Sequence, residues 1–284
     1  VQGAAMLLNR PRALEFARQR HGSAFTASLP LFGDSVVLSD PDLIKELFTA
    51  GDLVETITNL GDVIGPGSTF SLNGEPHLAR RKLLMPPLHG KRMQVYEQII
   101  EEEVARELST WPVGTPFATL PSMMRITLNA ILRAVFGADG THLDELRRII
   151  PPWVTLGSRL AVLPTPARTY GRFSPWGRLA RYRRRYDEVI GRLIDAVQAD
   201  PDFDERDDVL ALLLKSTYED GSSMSRQAPG DELRLVFAAG HETTANSLSW
   251  TLYLLSLHPG VRRRLEAELD SVLGDRPPNA QDYG

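Results

Sequence analysis

Apolar side chains recur every three or four positions through most of this chain, which is the spacing expected along one face of an α-helix. The pattern predicts helices over residues 10–22, 76–88, 92–111, 121–137, 178–200 and 207–216. A further helix is predicted from residue 141 and should end at the Pro151-Pro152 pair, because proline lacks the backbone N–H that a helix interior needs. Helices are therefore expected to make up most of the fold.

The pattern changes near the N-terminus, where two short runs, residues 24–29 and 35–38, have the composition of β-strands. Gly33 and Asp34 stand between them, and this pair favours a hairpin turn. No repeat period occurs along the chain. The predicted fold class is mainly α with a small β-hairpin near the N-terminus, and residues 1–284 are expected to form a single domain.

The longest helix is predicted over residues 230–258. At about 1.5 Å per residue it would be roughly 43 Å long, enough to cross a whole domain. Beyond Asn246 its side chains are apolar on nearly every side, which is typical of a buried helix. Pro259 should end this helix and begin the last one.

The centre of the long helix carries the segment AGHETT, residues 239–244, which is a poor helix former. Gly240 costs about 0.5–1 kcal/mol relative to alanine in a helix, and the two threonines are β-branched. Ala239 and Gly240 leave space beside the helix, and the Thr243 hydroxyl can bond the Ala239 carbonyl four residues before it. With the Glu242 carboxylate nearby, the segment has the composition of a ligand groove equipped for proton transfer.

Two other interpretations of this segment are open. Ala239 and Gly240 could instead form a close helix–helix contact while Glu242 reaches solvent. The letters HETTA also begin like the zinc-protease motif H-E-x-x-H. Position 245, where the second histidine ligand would be needed, is alanine, so no metal site is expected from this segment.

Composition narrows the chemistry that this chain can perform unaided. The sequence contains no cysteine, which excludes disulfides, zinc–thiolate sites, iron–sulfur clusters and a haem–thiolate bond.

The formal net charge of −4 argues against a dedicated nucleic-acid binder, so the arginine cluster over residues 178–185 is interpreted as a solvated helix face. No apolar run reaches the roughly 18 residues of a membrane span. The expected location is cytoplasmic.

Two segments resemble motifs of the cytochrome P-450 family, the haem-thiolate monooxygenases. Residues 239–244 match the [Ala/Gly]-Gly-x-[Asp/Glu]-Thr-[Thr/Ser] signature of the family's long helix on the distal side of the haem. His77 and Arg81 match the H-x-x-x-R helix of soluble bacterial members, in which both side chains reach a haem propionate. Their four-residue spacing places them on one helix face. The order of the helices is similar along essentially the whole chain.

The resemblance implies a function for the complete protein. It would be a haem-dependent monooxygenase that inserts one oxygen atom of O2 into an apolar small molecule. It would use haem b and receive electrons from a ferredoxin or a flavoprotein. Substrate contacts would come from residues 53–72 and 153–176.

The resemblance also implies roles for individual residues. Thr243 would hold the bound oxygen by hydrogen bonding, and Glu242 would relay protons to it from solvent. The small residues Ala239 and Gly240 would leave room for dioxygen beside the cofactor. His77 and Arg81 would hold the haem propionates through cationic or donor groups.

Two further family motifs, an E-x-x-R helix and a cysteine loop, should follow the long helix but do not occur in this sequence. The E-x-x-R matches at Glu15, Glu103 and Glu145 all precede that helix and are interpreted as surface ion pairs. We therefore expect an incomplete cytochrome P-450-like fold, without the proximal cysteine and inactive by itself. The alternative is a non-catalytic α-helical ligand-binding or scaffolding protein that retains these motifs.

Overall fold

The computed structural model describes residues 9–29, 33–50, 65, 67–88, 93–137, 141–161, 171–279 and 282. These residues divide into two compact units, one before residue 60 and one from residue 60 onward. The expectation of a single domain over residues 1–284 stays a prediction.

The first unit contains a two-stranded antiparallel sheet between two helices in the chain order. Helix α1 spans Arg10–His21, β1 spans Ala24–Leu29, β2 spans Gly33–Leu38 and α2 spans Pro41–Thr49. The strands pair from Ala24 opposite Leu38 to Leu29 opposite Gly33. The predicted hairpin is confirmed, and its second strand begins slightly earlier than the sequence pattern indicated.

The second unit is helical, as predicted. Its α-helices are α3 Gly74–Leu84, α4 Met93–Leu108, α5 Thr119–Phe136, α6 Thr141–Leu160, α7 Pro175–Gln198, α8 Val209–Lys215, α9 Ala228–Leu257 and α10 Pro259–Leu273. Short 3₁₀ turns cover Thr69–Ser71 and Pro86–Leu88. Among the described residues the fold class is therefore mainly α with a small β-hairpin, as the sequence predicted.

The predicted break at the proline pair is wrong, because α6 continues through Pro151 and Pro152. Trp153 and Val154 follow directly and are buried, and the Trp153 ring lies 5.8 Å from the ring of Tyr186 on α7. Burying a large aromatic side chain offsets much of the roughly 3 kcal/mol that an interior proline costs a helix. Core packing therefore outweighs the local preference.

The core of the second unit lies where α5, α6, α7 and the first half of α9 meet. Leu132, Leu146, Ile150, Tyr186 and Phe237 come from these four helices, and all are fully buried. The Phe237 ring lies 6.3 Å from Tyr186 in an edge-on arrangement. This core holds the middle of α9 against α5, which is where the AGHETT segment lies.

Helix α9 is buried only in its first half, so the expectation of a helix buried along its length is wrong. From Leu248 onward large apolar side chains are exposed, with Trp250 at 62% and Leu257 at 55% of full exposure. The apolar residues of α10 continue this exposed surface, for example Val261 and Val272. We call the exposed apolar surface of residues 248–272 the apolar end-face. In the part of the chain that the structure describes, no helix is long and apolar enough to cross a membrane.

Candidate functional site

The AGHETT segment, residues 239–244, lies in the middle of α9 and is called the notch below. Ala239 and Thr243 are both exposed, and their four-residue spacing places them on the same helix face. His241 is fully buried, because it points about 200° away from Ala239 around the helix. The notch therefore has one open face of small side chains and one face packed into the protein.

Thr243 forms the hydrogen bond that the sequence predicts, since its Oγ1 donates to the carbonyl of Ala239. That carbonyl also lies in the regular helix ladder, so the threonine competes with a backbone amide for it. Because the single hydroxyl proton is used in this bond, the remaining lone pair of Oγ1 at the open face is an acceptor. Thr243 can thus receive a hydrogen bond from a water or a proton-bearing ligand.

Gly240 serves a close contact between two helices. A Cβ added there would lie 2.7 Å from Cδ1 of Ile131 on α5, which is too close for an ordinary carbon contact. The helix–helix alternative considered for the Ala-Gly pair thus holds for Gly240. Ala239 is exposed instead. The open face of the notch consists of Ala239 and Thr243. The expected contact of Gly240 with a cofactor stays a prediction.

His241 was not singled out by the sequence reasoning, although it occupies the variable position of the motif. Its Nδ1 lies 3.0 Å from Oγ1 of Thr127 on α5, and the same hydroxyl lies 3.1 Å from the His241 carbonyl. Among the described residues the other hydrogen-bond partners of that hydroxyl are carbonyl oxygens, including that of Met123 at 3.0 Å. Nδ1 donates to Thr127 in the tautomer that carries the ring proton there, and it accepts from the Thr127 hydroxyl in the other tautomer.

Burial also keeps the His241 ring neutral. The ring is removed from water, and this lowers the pKa of His241 from its usual 6.5, although the neighbouring Glu242 carboxylate acts in the opposite direction. Nε2 is buried and has no hydrogen-bond partner among the described residues. His241 therefore fixes the notch against α5 through a neutral imidazole.

Glu242 is held by a serine that sequence reasoning also missed. Ser158, in the last turn of α6, has its Oγ 2.9 Å from Oε2 of Glu242. The carboxylate is half-buried, so its expected exposure to solvent is only partial. No local sequence signal identifies this pair, because 84 positions separate the two residues.

The H-x-x-x-R segment lies on α3, where His77 is half-buried and Arg81 is exposed. Neighbouring basic side chains have protein partners: Arg80 donates to Glu232 at 2.9 Å, and Lys82 pairs with Glu219. No ion pair of Arg81 occurs among the described residues. The contact of His77 and Arg81 with a haem propionate, which the H-x-x-x-R match implied, stays a prediction.

Arg80 belongs to a buried charged cluster at the start of α9 that the sequence reasoning did not identify. Glu232 accepts hydrogen bonds from Arg80 and from Thr69 Oγ1 at 2.9 Å, and desolvation raises the pKa of Glu232. Asp231 accepts from the backbone N–H of Gly67 at 3.1 Å, and a Cβ on that glycine would lie 2.5 Å from the Asp231 carboxylate. These hydrogen bonds therefore hold residues 67–69 against the first turn of α9.

A cavity of about 920 Å³ lies on the buried side of the notch, lined by α4, α5, α6 and α9, with Met124, Leu128 and His241 among its walls. The arginines at its rim are paired with acids, as Arg125 is with Glu107 at 2.5 Å. Because His241 lies on the opposite side of α9 from Ala239, this cavity is distinct from the open face of the notch.

Residues of two helices have side chains that suit a haem. On α9 the exposed pair Ala239 and Thr243 is small enough for a flat ring to approach, and on α3 His77 and Arg81 carry donors that suit its carboxylates. The sequence contains no cysteine, and the part of the chain that the structure describes has no cluster of three or more His, Asp or Glu able to hold a metal ion. A haem iron would therefore receive no thiolate from this chain.

Comparison with known proteins agrees with these motifs. The family model described as Cytochrome P450 matches residues 9–284. The protein described as cytochrome P450 138 in Mycobacterium tuberculosis is 57% identical over 272 residues, which are 95% of this chain and 62% of that protein. Cytochrome P450 135B1 of the same organism is 35% identical over 295 residues, covering 100% of this chain and 61% of that protein.

Solved structures share the fold. The retinoic acid-bound cyanobacterial CYP120A1 superposes with a TM-score of 0.80 at 23% identity, over 98% of this chain and 62% of that one. The haem domain of cytochrome P450DA gives a TM-score of 0.77 at 23% identity, over 99% of this chain and 63% of that domain. The chain thus spans a little under two thirds of the length of the relatives it matches.

Proposed function

This chain belongs to the cytochrome P450 family, and from that premise we propose that it supplies the oxygen-facing side of a haem-dependent monooxygenase. The complete enzyme inserts one oxygen atom of O2 into an apolar small molecule. Bound haem b supplies the binding and reductive activation of O2, with electrons from a ferredoxin or a flavoprotein. This chain supplies the residues around that reaction.

The observation that carries the proposal is the juxtaposition of a hydroxyl and an acid at the notch. Thr243 presents an acceptor oxygen beside the small side chain of Ala239, and Glu242 comes from the adjacent position on α9. The hydroxyl holds and orients a water or proton-bearing ligand at the open face. Glu242 moves protons from solvent toward that point as a general acid.

Other residues bind the cofactor and the substrate in this proposal. His77 and Arg81 hold the propionates of haem b, since they share one face of α3 and Arg81 is exposed. The segments assigned to the substrate, residues 53–72 and 153–176, fall partly outside the described residues. Within the described part, Trp176 is half-buried and Phe173 is exposed near the start of α7.

The chain by itself is not proposed to catalyse the reaction, because it contains no cysteine to ligate the iron. The second candidate is a non-catalytic α-helical ligand-binding or scaffolding protein. The packing of Gly240 against Ile131 favours it, since that contact explains one of the motif's small residues without a cofactor.

The role of Thr243 is tested in a complete enzyme, in which residues 1–284 are joined to a cysteine-bearing remainder. Thr243→Ala removes the acceptor at the open face, so peroxide released per electron pair should rise by about tenfold, which is less than the roughly 10²–10⁴-fold that a proton-transfer group itself contributes. Hydrogen peroxide and consumed reductant are measured together. The exposed neighbour Thr244 is the matched control, and Thr244→Ala should leave the ratio unchanged.

Two results would count against this proposal. Equal peroxide release from wild type and Thr243→Ala would remove the role of the hydroxyl. A complete polypeptide that takes up no haem would favour the non-catalytic candidate.

A further inference from the structure

We propose that Ser158 is a positioning residue that serves as hydrogen-bond partner to both protonation states of Glu242. This inference rests on the proposed function, because it concerns the acid that relays protons at the notch. It adds a residue from α6 that belongs to neither of the recognised sequence motifs.

The geometry around the Ser158 hydroxyl has two alternatives. Oγ lies 2.9 Å from Oε2 of Glu242 and 2.9 Å from the carbonyl oxygen of Val154. A serine hydroxyl has one proton and two acceptor lone pairs, so it can donate to only one of these oxygens at a time. Rotation about the Cβ–Oγ bond exchanges the two arrangements without moving any heavy atom.

Each arrangement matches one protonation state of the acid. When Glu242 is ionised, its carboxylate is the stronger acceptor and takes the serine proton. The Val154 carbonyl then keeps the helix hydrogen bond that its position in α6 provides. When Glu242 is protonated, its O–H donates to Oγ, and the serine proton turns to Val154. Both states are thus satisfied in one side-chain position.

This property suits an acid that gains and loses a proton in every turnover. A carboxylate held by an arginine is stabilised in its charged form, as Glu107 is beside Arg125. Among the described residues no lysine or arginine forms an ion pair with Glu242. A neutral hydroxyl that reverses its hydrogen bond can hold the acid in place in both protonation states.

The first test uses the complete polypeptide, in which residues 1–284 are joined to the cysteine-bearing remainder, and reads the carboxyl group directly. The infrared difference spectrum between this protein and its Glu242→Gln variant isolates the carboxyl bands of Glu242 at high and at low pH. In Ser158→Ala these bands should move, because a hydrogen-bonded carboxyl absorbs at a different frequency from one bonded to water. Ser158→Thr retains a hydroxyl and should restore the original bands.

Ser256→Ala is the matched control for this experiment. Ser256 is also a helix serine whose hydroxyl bonds a backbone carbonyl, that of Tyr253 at 2.6 Å, and among the described residues it hydrogen-bonds no acid. Its substitution should leave the Glu242 bands unmoved. Ser158 is exposed and alanine is the best helix former, so Ser158→Ala should fold like the parent chain.

The second test measures peroxide per electron pair in the complete enzyme. Loss of one hydrogen bond of ordinary net strength should raise this ratio about fivefold in Ser158→Ala, with Ser158→Thr close to wild type. Unmoved infrared bands in Ser158→Ala would overturn the proposal whatever the enzyme does. Unchanged coupling in an active Ser158→Ala enzyme would overturn it too. If the bands move in Ser158→Ala but the complete wild-type protein forms no product, the Ser158–Glu242 pairing is supported and the proposed function is wrong.

Discussion

Two threonines bond backbone carbonyls of the notch from different helices. Thr243 bonds the Ala239 carbonyl from within α9, and Thr127 bonds the His241 carbonyl from α5. The first could be predicted from its four-residue spacing, whereas the second needs the packed structure because its partner is 114 positions away. Individual residues therefore define the shape of the notch through both local and long-range hydrogen bonds.

At this scale the buried imidazole predicts a pH dependence of stability. Burial lowers the pKa of His241 below its usual 6.5, so the unfolded chain binds this proton more readily than the folded chain. The free energy of unfolding should therefore fall as the pH drops below about 6.5, until the lowered folded-state pKa is passed.

Urea denaturation of the complete enzyme and of its His241→Gln variant, at pH values between 8 and 5, checks this expectation. Glutamine can still hydrogen-bond Thr127 but does not titrate. The stability difference between the two proteins should shrink or reverse on acidification. A difference that stays constant with pH would contradict a neutral buried His241.

At the scale of elements, the packing of α5 on α9 determines what substitutions the notch accepts. Gly240→Ala gains about 0.5–1 kcal/mol of helix propensity, but its Cβ would meet Cδ1 of Ile131 at 2.7 Å. Ile131→Val removes that atom. We expect Gly240→Ala to stabilise the chain by about 0.5–1 kcal/mol more in the Ile131→Val background than in the wild type.

Chemical denaturation of the complete enzyme carrying each member of this double-mutant cycle measures the coupling. Purely additive effects would show that Gly240 is not constrained by α5. In that case its place in the notch would need another explanation, and contact with a cofactor would be the first to consider.

The attachment of α3 to α9 predicts contrasting effects for two adjacent arginines. Arg80→Ala leaves the buried Glu232 carboxylate without its cation and should cost about 3 kcal/mol of unfolding free energy. Arg81→Ala should change it by less than about 0.5 kcal/mol, because Arg81 is exposed.

In a complete enzyme the contrast should extend to cofactor binding. Arg81→Ala is expected to weaken haem retention, measured by transfer of haem to an acceptor protein, while leaving stability without haem unchanged. Equal destabilisation by both substitutions would contradict the separate roles assigned to the two arginines.

At the scale of the whole molecule, the apolar end-face is the feature with the largest consequence for behaviour in solution. Trp250 is 62% exposed and Leu254 is 47% exposed. The chain spans 62% of the cytochrome P450 138 relative. Contiguous exposed apolar surface on a soluble protein is a site of association. We therefore expect the 284-residue chain to bind hydrophobic dyes, to self-associate and to unfold without sharp cooperativity.

Trp250→Gln combined with Leu254→Gln should lower dye fluorescence and self-association without lowering stability, since both side chains are exposed. Phe173→Gln is the control, because Phe173 is 80% exposed and lies outside the apolar end-face. A monomeric, cooperatively folding chain without haem would contradict this expectation.

The sequence alone determined the helices, the hairpin, the Thr243–Ala239 bond and the family, because each depends on spacing within a short segment. Two of the predictions made from the sequence were wrong. Helix α6 runs through two prolines, and α9 is buried in only one half, because packing with distant segments decides both. The tertiary structure alone assigned Gly240 to a helix contact and brought Ser158 to Glu242. Those contacts join residues about a hundred positions apart, and no local pattern of side chains encodes which distant partner the folded chain brings beside them.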